Sequence, residues 1–280
     1  MIPPPTDPPA RTKRVTTRNA SFQQWQALLE NRNKRQRLGQ FLIQGVRPLN
    51  LAIARGWPLS ALLCSSDRKS EWAAETAETA RAEQVYEVSP TLMAELGQKD
   101  EQAPEVLAVG STPADDLTRI PAGEDLLVAV LDRPSSPGNL GTLIRSADAL
   151  GASGVVITGH AADLYDPKTV RASTGSIFAL PAVRATSPEP VAEWVEGLRS
   201  GGVTARVLGT SEQAESELAG HDLRGPTVLV IGNETTGLSG AWASRCDDRA
   251  RIPMTGSASS FNAACSGSIA LYEARRQRGH

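Results

Sequence analysis

The feature that most constrains this chain is a run of six apolar residues, Leu126-Leu127-Val128-Ala129-Val130-Leu131, flanked by Glu124-Asp125 and Asp132-Arg133. A strand with one wet face alternates apolar and polar residues, whereas a strand buried on both faces does not. Such a run belongs inside a parallel sheet with helices on either side. The surrounding sequence agrees. Gly154–Thr158, Ala182–Ala185, 203–208 and Thr227–Ile231 read as further strands. Helical patterns fall between them, over 140–150, 168–173 and 191–199. Strands alternating with helices predict an α/β domain with a mostly parallel sheet.

Shorter elements alternate upstream. A helix is expected over 21–31, with Phe22, Trp25, Leu28 and Leu29 at helical spacing and Ser21 as its N-cap. A basic link, 32–37, leads to a strand at 41–43. A helix over 46–55 carries Pro48 near its start, where proline is tolerated. A strand at 59–64, a helix at 71–82, a strand at Val85–Val88, a helix at 91–96 and a strand at 105–109 complete a small α/β domain. The polar stretch 111–124 contains two prolines and reads as a linker. The opening M-I-P-P-P-T-D-P-P-A reads as a disordered tail. The expected division is therefore tail 1–14, first domain 15–110, linker 111–124 and second domain 125–280. A chain of 280 residues accommodates two such domains.

The formal net charge is −2, but it is unevenly spread. Arg11, Lys13, Arg14, Arg18, Arg32, Lys34, Arg35, Arg37 and Arg47 face only Glu30 in their stretch. A basic segment on a near-neutral chain predicts contact with an anion, nucleic acid included; the bland alternative is a solvated helix face. Cys64, Cys246 and Cys265 are odd in number and lack metal-ligand spacing, so neither a disulfide scaffold nor a zinc site is expected. They fit a reducing cytoplasm. No stretch approaches the ~20 apolar residues of a membrane helix, and the first residues have no apolar signal region. His160, His221 and His280 have no partner spacing and read as surface residues.

Three loops leave the carboxyl ends of predicted strands, where open α/β sheets bind ligands. The first runs from Asp132 through Pro134, Ser135, Gly138 and Asn139 to Gly141, with Arg145 farther along the helix. The second is 232–238, containing Glu234. The third is the small-residue stretch 255–260. It follows Ile252-Pro253-Met254, which closes a β-prone run. Asn262 then opens a helix whose Ala264, Ile269, Leu271 and Tyr272 face a core. Small-residue loops between strand and helix leave backbone groups free for a ligand. The G-x-G-x-x-G spacing and a Walker A lysine are both missing, so a conventional dehydrogenase or nucleotide hydrolase has little support.

Taken in order, N-L-G-T-L-I-R-S-A-D-A-L-G-A, V-I-G-N-E-T-T-G-L-S and I-P-M-T-G-S-A-S-S-F-N-A-A-C-S-G-S-I-A-L-Y-E resemble the three signature motifs of the SpoU/TrmH branch of the SPOUT methyltransferases, which are RNA ribose 2′-O-methyltransferases. K-T-V-R-A-S-T-G-S-I-F-A-L-P resembles the segment between the first two motifs. F-L-I-Q-G-V-R-P-L resembles the start of that family's substrate-binding domain, similar to a ribosomal L30-type protein. The resemblance implies a carboxyl-terminal SPOUT domain with a deep trefoil knot, a rare feature. It also implies S-adenosyl-L-methionine as cofactor and a homodimer whose RNA reaches both subunits. Asn139, Arg145, Glu234 and Asn262 match the catalytic positions. Cofactor contacts fall on Leu208, Gly209, Thr210, Ile231, Gly232, Ile252, Met254 and Phe261, largely through backbone. RNA contacts fall on Arg14, Arg18, Arg32, Lys34, Arg35, Arg37, Arg47 and Arg171, with Ser173 beside Arg171 a further candidate for an RNA or active-site contact. Phe261 replaces the usual Leu before Asn262, and Gln44 replaces a frequent Glu.

Methyl transfer to a ribose hydroxyl needs an in-line approach and an exit for the proton, and positioning supplies much of the acceleration. A guanidinium with pKa above ~12 is a poor base. Arg145 is therefore expected to bind the adjacent phosphate and orient O2′, with that phosphate taking the proton. Each residue also has a bland reading: Asn139 and Asn262 as helix caps, Arg145 as a surface ion-pair partner, Glu234 as a turn residue. The extra N-terminal domain favours 23S ribosomal RNA over tRNA. The Ala/Arg/Gly/Pro-heavy composition points to a high-GC actinomycete, where such enzymes include thiostrepton- and avilamycin-resistance methyltransferases; housekeeping ribosome modification is the competing role. A tRNA ribose methyltransferase, or a non-catalytic RNA-binding protein on the same scaffold, is the alternative function.

Overall fold

The structure, a computed structural model, describes residues 12–68, 70–98 and 103–279. The chain divides into two compact units, one ending at Pro113 and one starting at Ala114.

The first unit contains β1 (Lys13–Val15), α1 (Ala20–Glu30), α2 (Arg32–Leu38), β2 (Gln40–Ile43), α3 (Val46–Ala54), β3 (Leu59–Ser65), α4 (Glu71–Thr79), β4 (Val85–Val88), α5 (Pro90–Gly97) and β5 (Val106–Ser111). Its sheet runs β1-β4-β3-β5-β2. The β1, β4 and β3 strands are parallel, and β5 is antiparallel to both neighbours. Phe22, Trp25, Leu28 and Leu29 of α1 pack with Leu42, Leu63, Met93, Leu96 and Leu107 in one core.

Three expectations change here. Residues 1–11 of the expected tail lie outside the described residues, but Lys13 and Arg14 form β1, paired in register with Tyr86 and Glu87. Asn19, not Ser21, caps α1, accepting the Phe22 N–H. The basic link is the helix α2, capped by Asn31 and closed by Gly39 at φ +61°. Its missing apolar periodicity hid it.

That helix also corrects one RNA contact. Arg35 is 3% exposed, and its Nη1 donates to the Leu28 and Leu29 carbonyls at 2.8 and 3.1 Å. It satisfies the carboxyl end of α1 rather than a phosphate. Arg35→Ala is expected to destabilise this unit by about 2 kcal/mol, lowering its thermal midpoint while leaving the salt dependence of RNA binding unchanged. Arg14 and Arg18 lie on the surface, paired with Glu87 and Glu95 at 2.8 Å. Arg37 and Arg47 are exposed, and Arg32 and Lys34 half-buried. Gln44 is buried, and its Nε2 donates to Leu96 O at 2.6 Å, a structural task for the position.

The second unit contains β6 (Leu127–Asp132), α6 (Pro137–Ala149), β7 (Gly154–Thr158), α7 (Pro167–Ala172), β8 (Ala182–Ala185), α8 (Pro188–Ser200), β9 (Arg206–Thr210), β10 (Thr227–Ile231), α9 (Gly240–Ala243), β11 (Asp248–Ala250) and α10 (Ala263–Gln277). Six parallel strands stand in the order β11-β9-β10-β6-β7-β8. The apolar run is β6, buried throughout and flanked by β10 and β7. From β10 the chain passes β9 to reach β11, then returns to lay α10 against α6 and β10.

The stretch expected as a linker largely belongs to this unit. Asp115 accepts from the Arg184 backbone N–H and Nε, at 3.2 and 2.9 Å. Arg119 Nη1 donates to Ala182 O at 3.3 Å. Ile120 is buried, filling the space where a Cβ on Gly154 would lie 2.8 Å from its Cγ1. Two further strands are displaced: the one expected at 203–208 is Arg206–Thr210, and the β-prone run ends at Ala250, leaving Ile252 to Met254 irregular.

Candidate active site

Three loops at the carboxyl ends of β6, β10 and β11 meet through side-chain amides. Ser136 caps α6, its Oγ accepting the Asn139 N–H at 3.3 Å, and Pro137 fills the first helical position. Asn139 is therefore not the cap, and its side chain reaches outward. Its Nδ2 donates to Glu234 Oε1 at 3.0 Å. Its Oδ1 accepts from Asn262 Nδ2 at 3.1 Å. Asn262 Oδ1 in turn accepts the Ala264 and Cys265 N–H groups, at 2.9 and 3.3 Å, and caps α10. A directed chain of hydrogen bonds thus runs from the α10 amino terminus to a carboxylate. Backbone N–H groups can only donate and a carboxylate can only accept, so both ends fix the orientation of the two amides.

The second Glu234 oxygen accepts from the Ser135 N–H and Oγ, at 3.3 and 3.0 Å, and from Asn233 Nδ2 at 3.2 Å. Partial burial works to raise the Glu234 pKa. The donors, led by Asn139, outweigh burial and hold the carboxyl below its ordinary range. Ser135 and Asn233 lay in loops identified from sequence, but nothing there marked them as partners of Glu234.

Beside this chain opens a cavity of about 540 Å³. Thr210, Ile231, Gly232, Ile252, Met254 and Phe261 line it, with Leu238, Glu212 and Arg249. Leu208 and Gly209 do not. Leu208 is fully buried, and a Cβ on Gly209 would point at Leu238 Cδ1 and Cys246 Sγ, at 2.7 and 2.8 Å. Only the last residue of β9 opens onto the cavity. Gly232 is required sterically: a Cβ there would lie 2.4 Å from the Gly237 carbonyl carbon. The loop folds back on itself at this point, with Asn233 and Gly237 exchanging two backbone hydrogen bonds of 3.0 Å.

Arg145 stands apart from the amide chain. At 100° per residue it lies about 120° around α6 from Asn139. It is exposed, and among the described residues no hydrogen bond or ion pair holds its side chain. Arg171 is half-buried on α7. Ser173 is fully buried and donates to Val170 O at 2.8 Å, which corrects its candidacy as an RNA contact. His221 is also buried rather than on the surface, with Nε2 2.9 Å from Ser216 Oγ. Among the described residues no cluster of His, Cys, Asp and Glu has the makings of a metal site, and no helix is long and apolar enough to cross a membrane.

A six-stranded parallel sheet, an amide chain joining three of its carboxyl-end loops and a cavity beside them make up the site of a chain that belongs to the SpoU rRNA Methylase family, which matches residues 126–272, while residues 19–108 match the SpoU L30e-like domain. Over 267 residues it is 56% identical to the 23S rRNA (uridine(2479)-2′-O)-methyltransferase of Streptomyces viridochromogenes, covering 95% of this chain and 93% of the relative. The crystal structure of the SpoU methyltransferase AviRb from Streptomyces viridochromogenes, in complex with the cofactor AdoMet, superposes with a TM-score of 0.89 at 56% identity, over 93% of this chain and 98% of that one. An AdoMet-bound rRNA methyltransferase from Sinorhizobium meliloti gives a TM-score of 0.82 at 31% identity, over 95% and 98% of the two chains.

Proposed function

We propose that the protein transfers a methyl group from S-adenosyl-L-methionine to the ribose 2′-hydroxyl of a uridine in 23S ribosomal RNA. The observation that carries this reading is the chain Glu234–Asn139–Asn262 at the edge of the cavity. The residues present fit the cofactor. Leu238, Ile252, Met254 and Phe261 offer apolar contact to an adenosine around the 231–232 backbone, and Glu212 and Arg249 suit a zwitterionic amino acid. When bound, it supplies an electrophilic methyl on a sulfonium.

The chain's own residues then do the positioning. The amide chain presents fixed dipoles that need no reorganisation during reaction. Arg145 has a guanidinium fork available for the phosphate beside the target ribose, which orients O2′ and leaves that phosphate to take the proton. Arg145→Ala is expected to lower turnover by about 100-fold, with Arg145→Lys recovering only part because it lacks the fork. Near-normal turnover in Arg145→Lys would remove the positioning role.

Three further elements belong to this proposal. The active form is a homodimer in the cytoplasm, where ribosomes are; the exposed Tyr272 and Phe261 favour a second copy covering the face near α10. The carboxyl end is threaded as a knot. In support, Arg251 exchanges backbone hydrogen bonds with Ser216 and Leu218, running the chain after β11 against the β9–β10 connection. RNA docks through Arg14, Arg18, Arg32, Lys34, Arg37, Arg47 and Arg171; the exposed pairs of Arg14 and Arg18 cost little to break.

The deciding experiment incubates the full chain with methyl-labelled cofactor and 23S RNA, free or in the large subunit, beside a tRNA control. Label on a 23S ribose 2′-oxygen, mapped to its nucleotide, is the expected result. Label in tRNA alone would overturn the substrate. A rise in the inhibitory concentration of avilamycin on expression in a sensitive strain separates a resistance role from housekeeping.

A further inference from the structure

The residue that leaves β6 is in a conformation L-amino acids avoid. Arg133 has φ +53°, and a non-glycine residue stays there only when its surroundings fix it. Here they do so from every side. Its N–H donates to Thr158 O at 2.9 Å. Its Nε and Nη2 grip both oxygens of Asp132 at 3.1 Å, and Asp132 is 2% exposed. The side chain passes over Gly159, where a Cβ would lie 2.8 Å from Arg133 Cγ. A buried carboxylate is costly unless it is paired, so the Asp132–Arg133 pair is a strong local commitment.

What the pair holds is the second loop. Arg133 Nη2 also donates to Gly237 O at 3.1 Å. The Arg133 carbonyl accepts from Asn233 Nδ2 at 2.7 Å. Asp132 Oδ2 accepts the Ser239 N–H at 2.7 Å. The 232–239 loop is therefore fastened near its start, at its turn and at its end. The same loop carries Glu234, and Gly232 to Leu238 wall the cavity.

We propose that Arg133, braced by Asp132, is a positioning residue for methyl transfer: it fixes the 232–239 loop so that Glu234 meets Asn139 and the cavity wall stays formed. This rests on the function proposed above. Loss of the grip frees the loop, which weakens cofactor binding and misaligns the amide chain. RNA docking, carried by other surfaces, is untouched.

The test uses the full-length chain with Arg133→Gly, Arg133→Lys and Asp132→Asn. Glycine adopts φ +53° without strain, so Arg133→Gly removes the grip while relaxing the backbone. Calorimetric titration with S-adenosyl-L-methionine and steady-state methylation of 23S RNA are read together with thermal unfolding. In Arg133→Gly, cofactor affinity and kcat are each expected to fall about tenfold or more, with KM for RNA within about twofold of wild type, and the unfolding midpoint is expected to fall because buried Asp132 loses its partner. Asp132→Asn is expected to lose in the same direction, and Arg133→Lys to recover part of the loss. Cofactor affinity and kcat within about twofold of wild type in Arg133→Gly would overturn the proposal, as would a lowered unfolding midpoint with both intact. Wild-type protein that binds no cofactor, or leaves 23S RNA unlabelled, would overturn the function itself.

Discussion

Asn139→Ala is expected to lower methyl-transfer turnover by about 100- to 1,000-fold while cofactor affinity stays within a few fold. Asn139 is the middle link of the amide chain, so its removal strands groups on both sides. Glu234 Oε1 loses its 3.0 Å donor, and Asn262 Nδ2 loses its 3.1 Å acceptor. Glu234→Ala removes the anchor of the same chain and should cost a similar amount. The double variant should be hardly worse than either single variant, because residues acting as a unit do not add. Single-turnover methylation of 23S RNA by all four proteins checks this, and additive losses would mean independent roles. Glu234→Gln adds a pH test. The Glu234 pKa is lowered in the folded protein, where burial is outweighed by donors led by Asn139. Its contribution is therefore complete above the ordinary glutamate range and is lost as pH falls through the depressed folded value. The acidic limb of the wild-type rate profile should lie below the ordinary glutamate range, and Glu234→Gln should lose that limb.

How far the sequence could be read depended on the range of the forces involved. The β6 run was legible because burial on both faces is written in six consecutive side chains. The three loops were legible because strand ends and small residues are local signals. The helix α2 was not, since polar residues between an Asn31 cap and a Gly39 stop carry no apolar period. Arg35 looked like its basic neighbours, and only the fold shows its guanidinium closing the end of α1. Leu208 and Gly209 were named beside Thr210, but both are buried within β9, and only Thr210, at the strand's carboxyl end, reaches the cavity. The amide chain lay beyond residue-level reading altogether. Its links join residues 95 and 123 positions apart, and only the resemblance to a family brought Asn139, Glu234 and Asn262 onto one page. Ser135, Asn233 and the Asp132–Arg133 pair sit in the same loops without any such marker.

The helix that carries both Asn139 and Arg145 owes its place to an absent side chain, and this gives the largest expected effect on stability. A glycine inside a helix costs about 1 kcal/mol relative to alanine, so Gly141→Ala would stabilise an isolated α6. In the folded chain the added Cβ would lie 2.4 Å from Thr169 O, 2.7 Å from Ala172 Cβ and 3.0 Å from Ser173 N. Two of these are backbone atoms, and the Thr169 carbonyl is already engaged by the Ser173 N–H at 2.9 Å. They cannot turn aside, so α6 and α7 must separate. Gly267→Ala makes the control. Its Cβ would also come within 2.4 Å of an atom, but that atom is Leu143 Cδ1, the movable end of a side chain. Gly141→Ala is expected to destabilise the second unit by about 3 kcal/mol, and Gly267→Ala by under about 1 kcal/mol. For a unit of this size that is a drop of roughly 6–12 °C in its thermal midpoint against one of a few degrees. Calorimetry on the two variants separates them, and equal midpoints would mean that the α6–α7 contact yields as easily as a leucine methyl. At temperatures where Gly141→Ala stays folded, methyl transfer should still fall, because a displaced α6 moves Asn139 away from Glu234.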